Sequence, residues 1–333
     1  MNVNKVEIQK KGFLEIDIDK SLNLVSEIKK MKEEKNAVIL AHYYQIPEIQ
    51  DIADFVGDSL ALSQKAAETY ADIIVFAGVH FMAETAKSLS PEKMVLIPDS
   101  KAGCSLADSC PPKEFKEFKE KFPEYKVVSY VNTTSEIKAL TDVVCTSTNA
   151  KLIIDSFPLD EKIIFAPDRN LGNYLNSITG RNMKLWDGAC HVHEEFSLEK
   201  ILDIKQEYPN AKIIAHPECQ KQILIVADYI GSTSGLLKFI ENDDCDTFIV
   251  VTESGILHQM QKSRPNKNFI PAPPNDSTCA CNDCKYMRLH TIEKLYTCLK
   301  YEIPEVTLDE ELRKKAVRPI IKMLEISKKQ NKI

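Results

Sequence analysis

The stretch AVILAHYYQIPEIQDIADFVGDSLALSQKAAETYADIIVFAG, residues 37–78, decides the fold. It opens with a short β-branched run, turns through a polar tip, continues with helical periodicity and ends in a second apolar strand. The same pattern recurs in KVVSYVNTTSEIKALTDVVCTSTNAKLIIDSFPLDEKIIFAP at 126–167 and in AKIIAHPECQKQILIVADYIGSTSGLLKFIENDDCDTFIVVT at 211–252. A repeat of roughly 85 residues indicates a fold assembled from duplicated units.

The spacing from the polar tip to a following Ser/Thr turn is nearly constant in the three repeats. It is 17 residues from His42 to Ser59, 17 from Tyr130 to Ser147 and 16 from His216 to Ser232. Apolar strands that alternate with helices predict parallel sheets covered on both faces, with ligands at the carboxyl ends of the strands. The hydroxyls of these turns, together with Thr233, either bind an anion at a helix start or are ordinary helix caps.

Charge and composition exclude several classes of protein. The 333 residues contain 43 Lys and Arg against 49 Asp and Glu, a net charge of −6. Without a long basic block, we expect no nucleic-acid partner. The charged N-terminal segment lacks the apolar core of a secretory signal, and no window approaches the ~18 apolar residues that span a bilayer. We therefore expect a cytoplasmic protein with no membrane partner, whose ten cysteines are reduced.

A cysteine follows the third short strand of each repeat. Cys104 lies 6 residues after Pro98, Cys190 lies 4 after Trp186, and Cys279 lies 6 after Pro273. Three thiolates can hold three irons of a cubane cluster and leave the fourth iron open as a Lewis acid. The alternative is a structural zinc knuckle built from Cys279, Cys281 and Cys284. Three further thiols are predicted to be packing residues, Cys145, Cys245 and Cys298.

The predicted fold class is α/β, with three related three-layer domains of the βαβ type in a pseudo-threefold triangular arrangement around a central cluster. The expected boundaries are 1–110 for the first unit with an N-terminal helix, 111–196 for the second unit and 197–285 for the third. Residues 286–333 are expected to form C-terminal helices that close the ring.

Nine short motifs in this order resemble the quinolinate synthases of NAD biosynthesis, over nearly the whole chain from Ala37 to about Lys300. They are AHYYQ at 41–45, GDS at 57–59, AGCSLAD at 102–108, YVNT at 130–133, TSTNA at 146–150, WDGACHVHE at 186–194, HPEC at 216–219, GSTSG at 231–235, and CKYM before a helix at 284–287.

The resemblance implies a transferase that condenses iminoaspartate (iminosuccinate) with dihydroxyacetone phosphate and releases quinolinate, phosphate and water. It implies a [4Fe-4S] cluster whose open iron acts as Lewis acid, held by Cys104, Cys190 and Cys284. The spacing within the repeats favours Cys279 instead of Cys284, so two lines of reasoning disagree about the third ligand. Transient coupling to the enzyme that supplies iminoaspartate is a further expectation.

The resemblance also implies a set of substrate-binding residues in the polar tips and hydroxyl turns. They are His42, Ser59, Tyr130, Val131, Asn132, Ser147, His193, His216, Pro217, Glu218, Ser232 and Thr233. Tyr44, His216 and Glu218 are the expected catalytic residues. We expect a raised pKa for Glu218, which a general base needs near neutral pH.

Each of these residues also has a purely structural interpretation. A histidine at a strand end is often a packing residue, and a glutamate near a helix start often serves the helix dipole. The alternative function is therefore a triplicated α/β protein that binds anionic metabolites, with a structural zinc or no metal. The sequence contains neither a P-loop motif nor a G-x-G-x-x-G dinucleotide motif after a strand.

Overall fold

The computed structural model describes residues 5–276 and 282–330 and shows an α/β fold with three four-stranded parallel sheets. The strands of the first sheet are β1 (Ala37–His42), β2 (Phe55–Gly57), β3 (Ile73–Ala77) and β4 (Met94–Leu96). Those of the second are β5 (Lys126–Tyr130), β6 (Val143–Cys145), β7 (Ile163–Ala166) and β8 (Lys184–Leu185). Those of the third are β9 (Lys212–Ala215), β10 (Tyr229–Ile230), β11 (Thr247–Val251) and β12 (Asn268–Pro271).

All three sheets have the same strand order: β2-β1-β3-β4, β6-β5-β7-β8 and β10-β9-β11-β12. The prediction of three duplicated βαβ-type domains is therefore confirmed. Each sheet lies within one of the predicted units 1–110, 111–196 and 197–285, while the boundaries themselves and the triangular arrangement remain predictions.

Helices connect the strands and flank the sheets. They are α1 (Lys5–Lys11), α2 (Leu24–Glu34), α3 (Pro47–Ile52), α4 (Ser59–Glu68), α5 (His80–Leu89), α6 (Ser105–Asp108), α7 (Pro112–Glu120), α8 (Ser135–Ala139), α9 (Ala150–Asp155), α10 (Arg169–Thr179), α11 (His191–Glu194), α12 (Leu198–Glu207), α13 (Lys221–Val226), α14 (Thr233–Asn242), α15 (Ile256–Ser263), α16 (Ile292–Tyr301) and α17 (Glu310–Gln330), with a 3₁₀ helix at Met287–Leu289. Among the described residues, no helix combines the length and the apolar character needed to cross a membrane.

An aspartate in front of the second strand braces the central strand of every sheet. Its Oδ2 accepts the backbone N–H of a residue near the start of the central strand: Asp54 from Ile39 at 2.7 Å, Asp142 from Val127 at 2.8 Å and Asp228 from Ile213 at 2.8 Å. We name these three residues the aspartate braces. They lie away from the carboxyl ends of the strands, where the polar tips project.

The chain forms two compact units. Of the described residues, one unit contains 5–104 together with Lys285–Val317, and the other contains 105–276, 282–284 and 318–330. In the first unit, α2 and α16 pack on the first sheet through buried residues such as Ile28 and Leu295. In the second unit, separate apolar cores form under the second and third sheets. Continuous burial on both faces explains why these strands are apolar runs and not alternating patterns.

Candidate functional site

The second unit brings Glu218 into contact with two imidazoles. His216 follows β9 directly and Glu218 lies two residues further along, while His193 lies in α11. Oε2 of Glu218 is 3.1 Å from Nδ1 of His193, and Oε1 is 3.7 Å from Nδ1 of His216. The three side chains are almost completely buried. A carboxylate in such a place requires partners, and the two rings provide them.

The two imidazoles are held by further contacts. Their ring centroids are 4.7 Å apart with an interplanar angle of 27°, so the rings stack. Nε2 of His193 lies 3.0 Å from Oγ1 of Thr252, which is buried just after β11. Nε2 of His216 lies 3.2 Å from Oγ of Ser147. These bonds at the outer nitrogens fix the orientation of both rings relative to the carboxylate.

The pKa of Glu218 is lowered to about 2, so the expectation of a raised pKa is wrong. Burial alone would raise the pKa, but the charges of His193 and His216 and hydrogen bonds from His193 and Tyr130 outweigh it. The carboxyl group is ionised near neutral pH and is a weak base. It is suited to orienting the two imidazoles.

The nearby Asp168 behaves in the opposite way. It is completely buried at the start of α10, and burial, followed by the negative charge of Glu218, raises its pKa well above the ordinary value. Three backbone hydrogen bonds, from Leu171, Cys190 and Asn170, act against this shift. The two carboxyls of the site are thus driven apart in pKa by their different partners.

The tip after β5 presents the predicted residues Tyr130, Val131 and Asn132. Tyr130 is buried and hydrogen bonds to Glu218. Oδ1 of Asn132 is buried and finds no hydrogen-bond partner within the described part of the chain. A buried acceptor without a partner is costly, so this oxygen is suited to receive a hydrogen bond from a bound molecule.

A residue without any motif around it, Lys138, holds this tip in place with its buried ammonium group. Its Nζ donates to the carbonyl of Val131 at 3.0 Å and also to the carbonyl of Thr133. In the first unit, Gln50 occupies the matching position, eight residues after the strand end, and donates to the carbonyls of Tyr43 and Gln45. This shared spacing of eight residues was the available signal.

The hydroxyl turns differ in their roles. Ser232 is a helix cap, since its Oγ accepts the N–H of Gly235 at 3.2 Å, and Thr233 opens α14 as a buried residue. Ser59 is the first residue of α4, but the cap is the side chain of Asp58. Ser147 contacts His216 and caps no helix. The anion-binding role predicted for these residues stays a prediction.

In the first unit, His42 ends β1 and is buried, with Tyr44 two residues further along. Nδ1 of His42 accepts the N–H of Tyr44 at 3.1 Å, and the rings meet edge to face at 4.5 Å. The carbonyl of Tyr44 accepts a hydrogen bond from Arg288. Both predicted residues therefore lie at the carboxyl end of the first sheet, where ligands are expected.

The structure places Cys190 at the start of α11, with His193 and Glu218 close by. One ligand atom of each, Sγ, an imidazole nitrogen and a carboxylate oxygen, lies within 4.8 Å of the others, so this group could hold a metal ion. Cys284 packs with Cys190 against the same apolar cluster and is half-buried. Cys104, in the first unit, is also half-buried. Cys279 and Cys281 lie outside the described residues.

Most of the remaining thiols are unsuited to binding a metal. Cys145 and Cys298 are buried, which confirms their predicted packing role, and burial raises the pKa of both thiols. Burial also raises the pKa of Cys110 to about 12. Cys245 is half-buried, with its thiol against the carbonyls of Asn210 and Thr247. A raised pKa disfavours the thiolate form that binds a metal, so these buried thiols are poorer ligands than the half-buried ones.

The sequence of the chain matches a known family. The profile of the family described as quinolinate synthetase A protein matches residues 26–325. The chain belongs to this family. A quinolinate synthase of Thermosynechococcus vestitus is 60% identical over 306 residues, which cover 92% of this chain and 96% of that relative. A quinolinate synthase of Chloroherpeton thalassium is 55% identical over 326 residues, which cover 98% of this chain and 100% of that relative. The resemblance to the quinolinate synthases is therefore confirmed.

The α-helix expected directly after the CKYM motif begins later in the chain than predicted. The segment that follows Cys284 contains only the 3₁₀ turn Met287–Leu289, and α16 begins at Ile292. A three-residue turn has only a small dipole, so it contributes little to stabilising a thiolate at Cys284.

Proposed function

We propose that the chain catalyses the condensation of iminoaspartate with dihydroxyacetone phosphate to quinolinate, phosphate and water, in the cytoplasm, as a step of NAD biosynthesis. The observation that carries the proposal is the buried Glu218 with its two imidazole partners at the strand ends, in a chain of the quinolinate synthetase A family. Both substrates are anionic, and His193, His216, Ser147 and Tyr130 bring their polar groups together at these strand ends.

The proposed cofactor is a [4Fe-4S] cluster held by Cys104, Cys190 and Cys284. The donor set fits such a group, because these three thiols are half-buried while Cys110, Cys145, Cys219 and Cys298 are buried. Cys245, the other half-buried thiol of the described residues, lies against two backbone carbonyls instead. When bound, the cluster would supply a Lewis-acidic iron that polarises a carboxylate or hydroxyl oxygen of the substrate.

The protein residues have separate roles in this proposal. The ionised Glu218 keeps His193 and His216 oriented, so that the imidazoles bind carboxylate groups and move protons to and from the condensing substrates. Asn132 Oδ1, buried without a partner in the described part of the chain, accepts a hydrogen bond from a substrate hydroxyl or imine N–H. Tyr44, His42 and Ser59 contribute donors from the first sheet, with Tyr44 as a proton relay.

The test is an anaerobic assay of quinolinate formation from the two substrates, combined with metal analysis of the same sample. We expect turnover in protein that holds roughly four irons and four sulfides per chain. Zinc in place of iron, or substrate binding without turnover, would overturn the proposal in favour of a metabolite-binding protein.

A further inference from the structure

Two buried carboxylates occupy equivalent positions in the second and third repeats. Asp168 lies two residues after the end of β7, and Glu253 lies two residues after the end of β11. Both residues are 0% exposed. Because β7 and β11 are the same strand of the duplicated sheet, the two acids project from the same edge of their sheets.

Each carboxylate binds the backbone of a cysteine. Oδ2 of Asp168 accepts the N–H of Cys190 at 3.3 Å, and Oε1 of Glu253 accepts the N–H of Cys284 at 3.1 Å. The other oxygen of each acid is also engaged. It accepts the N–H of Leu171 at 2.8 Å for Asp168 and of Gly255 at 2.7 Å for Glu253. Each acid thus links a cysteine to the chain that begins the next helix.

The chain around Cys190 is shaped for this contact. Gly188 forms a bridge with Asp168 and donates its N–H to the carbonyl of Pro167 at 3.1 Å. A Cβ atom at Gly188 would lie 2.6 Å from that carbonyl oxygen and 2.3 Å from Oγ of Ser109. A side chain is therefore excluded, and the glycine lets the segment before Cys190 approach Asp168.

The chain around Cys284 is tied down by its neighbours. Nδ2 of Asn282 donates to the carbonyl of Val192 at 3.0 Å, and Oγ of Ser254 hydrogen bonds to Asp283. The anchor of Asn282 is on α11, the same short helix that begins after Cys190. The backbones of both cysteines are consequently fixed within one part of the second unit.

The repeat does not need an acid at this position in order to fold. In the first repeat, the residue two positions after β3 is Val79, which is apolar and buried. The sheet has the same strand order there as in the other two repeats. The strand order of the sheet therefore forms without an acid at this position.

We propose that Asp168 and Glu253 are positioning residues that orient Cys190 and Cys284 as ligands of the proposed cluster. This inference rests on the proposed function. A carboxylate that holds the peptide N–H of a ligand also withholds that N–H from the cluster sulfurs, and such hydrogen bonds help to set a cluster's potential.

The test uses the full-length protein, reconstituted anaerobically, with Asp168→Asn and Glu253→Gln. Each change keeps the shape of the side chain but replaces one acceptor by an NH₂ group that faces a backbone N–H. We expect iron release to a chelator to become about 10- to 100-fold faster, as for other partners of metal ligands. We also expect an altered EPR signal of the reduced cluster.

Two aspartate braces provide matched controls. Asp142→Asn and Asp228→Asn disrupt the same kind of carboxylate–backbone bond elsewhere in the second and third repeats. They should leave iron release and the EPR signal unchanged, even where they lower the unfolding temperature of the metal-free protein. Equal iron release in all five proteins, or equal acceleration in the controls, would overturn the inference.

Asp168→Glu and Glu253→Asp carry the same test if the isosteric variants do not fold, since they keep the carboxyl group and change only its reach. The ligand assignment on which the proposed function rests is tested by Cys284→Ser against Cys279→Ser and Cys281→Ser. Iron loss in the first alone supports it, and iron loss in either of the others with retention in Cys284→Ser overturns it. A wild-type chain that binds no iron would instead overturn the proposed function itself.

Discussion

His193 and Glu218 form a buried pair, with Nδ1 of the imidazole 3.1 Å from Oε2 of the carboxylate. Each side chain is only 3% exposed. Since water cannot screen this pair, its electrostatic coupling is strong. The relationship explains why the carboxyl group is ionised in a place where burial alone would protonate it.

Replacing Glu218 by Gln should stop turnover and leave the iron content unchanged. The neutral amide no longer balances charge on His193 and His216, and we expect kcat to fall about 10²- to 10⁴-fold. Quinolinate formation and iron analysis measure the two effects. Glu195→Gln, at an exposed position, is the control and should retain full activity. Wild-type kcat in Glu218→Gln would remove this residue from catalysis.

The hydroxyl of Thr252 should be needed for full activity, because it helps to orient His193 beside Glu218. Thr252→Val removes the partner at Nε2 of His193 and leaves a buried nitrogen without a hydrogen bond, so we expect kcat to fall about 10-fold. Thr252→Ser keeps the hydroxyl and should restore most of the activity. Steady-state kinetics of wild type and both variants give the three kcat values. Equal kcat values for the Ser and Val variants would contradict the prediction.

Lys138 should be required for an ordered tip after β5. In Lys138→Met two buried carbonyls lose a charged donor, and we expect a loss of roughly 3 kcal/mol in unfolding free energy. A raised KM should accompany it, because Tyr130 and Asn132 follow the movement of the tip. Lys138→Gln should be milder, since Gln50 performs this task in the first repeat. Chemical denaturation measures the unfolding free energy, and steady-state kinetics measure KM. If Lys138→Met were as stable as wild type, Lys138 would not hold the tip in place.

His290 should make the protein less stable in mild acid. Burial lowers its pKa to about 4, and its Nε2 lies 2.6 Å from the carbonyl of Gly78. An unfolded histidine titrates near 6.5, so between these values the unfolded chain binds more protons and stability falls as the pH falls. The expected loss from pH 7 to below pH 4 is about 3 kcal/mol.

The measurement for His290 is the pH dependence of unfolding in His290→Gln, which keeps a donor toward Gly78 but does not titrate. This variant should lose the acid-sensitive component of stability. Identical pH profiles for wild type and His290→Gln would show that this imidazole is not the sensitive group.

The thiols should separate into two classes in an alkylation experiment. In metal-free protein, Cys190 and Cys284 are half-buried and should react with iodoacetamide, whereas Cys145 and Cys298 should not, because burial keeps them protonated. Reconstitution with iron and sulfide should protect Cys190 and Cys284. Mass spectrometry of digested protein reads out each site, and unprotected Cys190 in the reconstituted protein would contradict its role as a ligand.

The repeated framework was predictable from the sequence because strands buried on both faces leave long apolar runs. The spacing of 16 or 17 residues between tip and turn located His42, Tyr130 and His216 at strand ends. The pKa of Glu218 was not predictable, since it depends on His193, which lies 25 residues earlier in the chain. Only the folded structure shows that this ring reaches the carboxylate.

The supporting residues were missed for a similar reason. Lys138, Asp168 and Glu253 act through backbone groups, and a residue that binds peptide N–H or carbonyl groups leaves no motif with its partner. Comparing the repeats position by position would have found them. Gln50 and Lys138 occupy equivalent positions, eight residues after the ends of their strands. Asp168 and Glu253 are also equivalent, each two residues after a strand end.

In each repeat, the aspartate brace holds one end of a central strand, and the residues of the candidate site follow the other end. Because the aspartate braces secure each central strand near its beginning, a change in the residues that follow the strand's other end leaves this attachment intact. A duplicated gene could thus exchange a histidine for a tyrosine, or an acid for a valine, at one edge of a sheet while the other edge kept its ancestral contacts. The same property makes the tips of each repeat suitable for independent redesign.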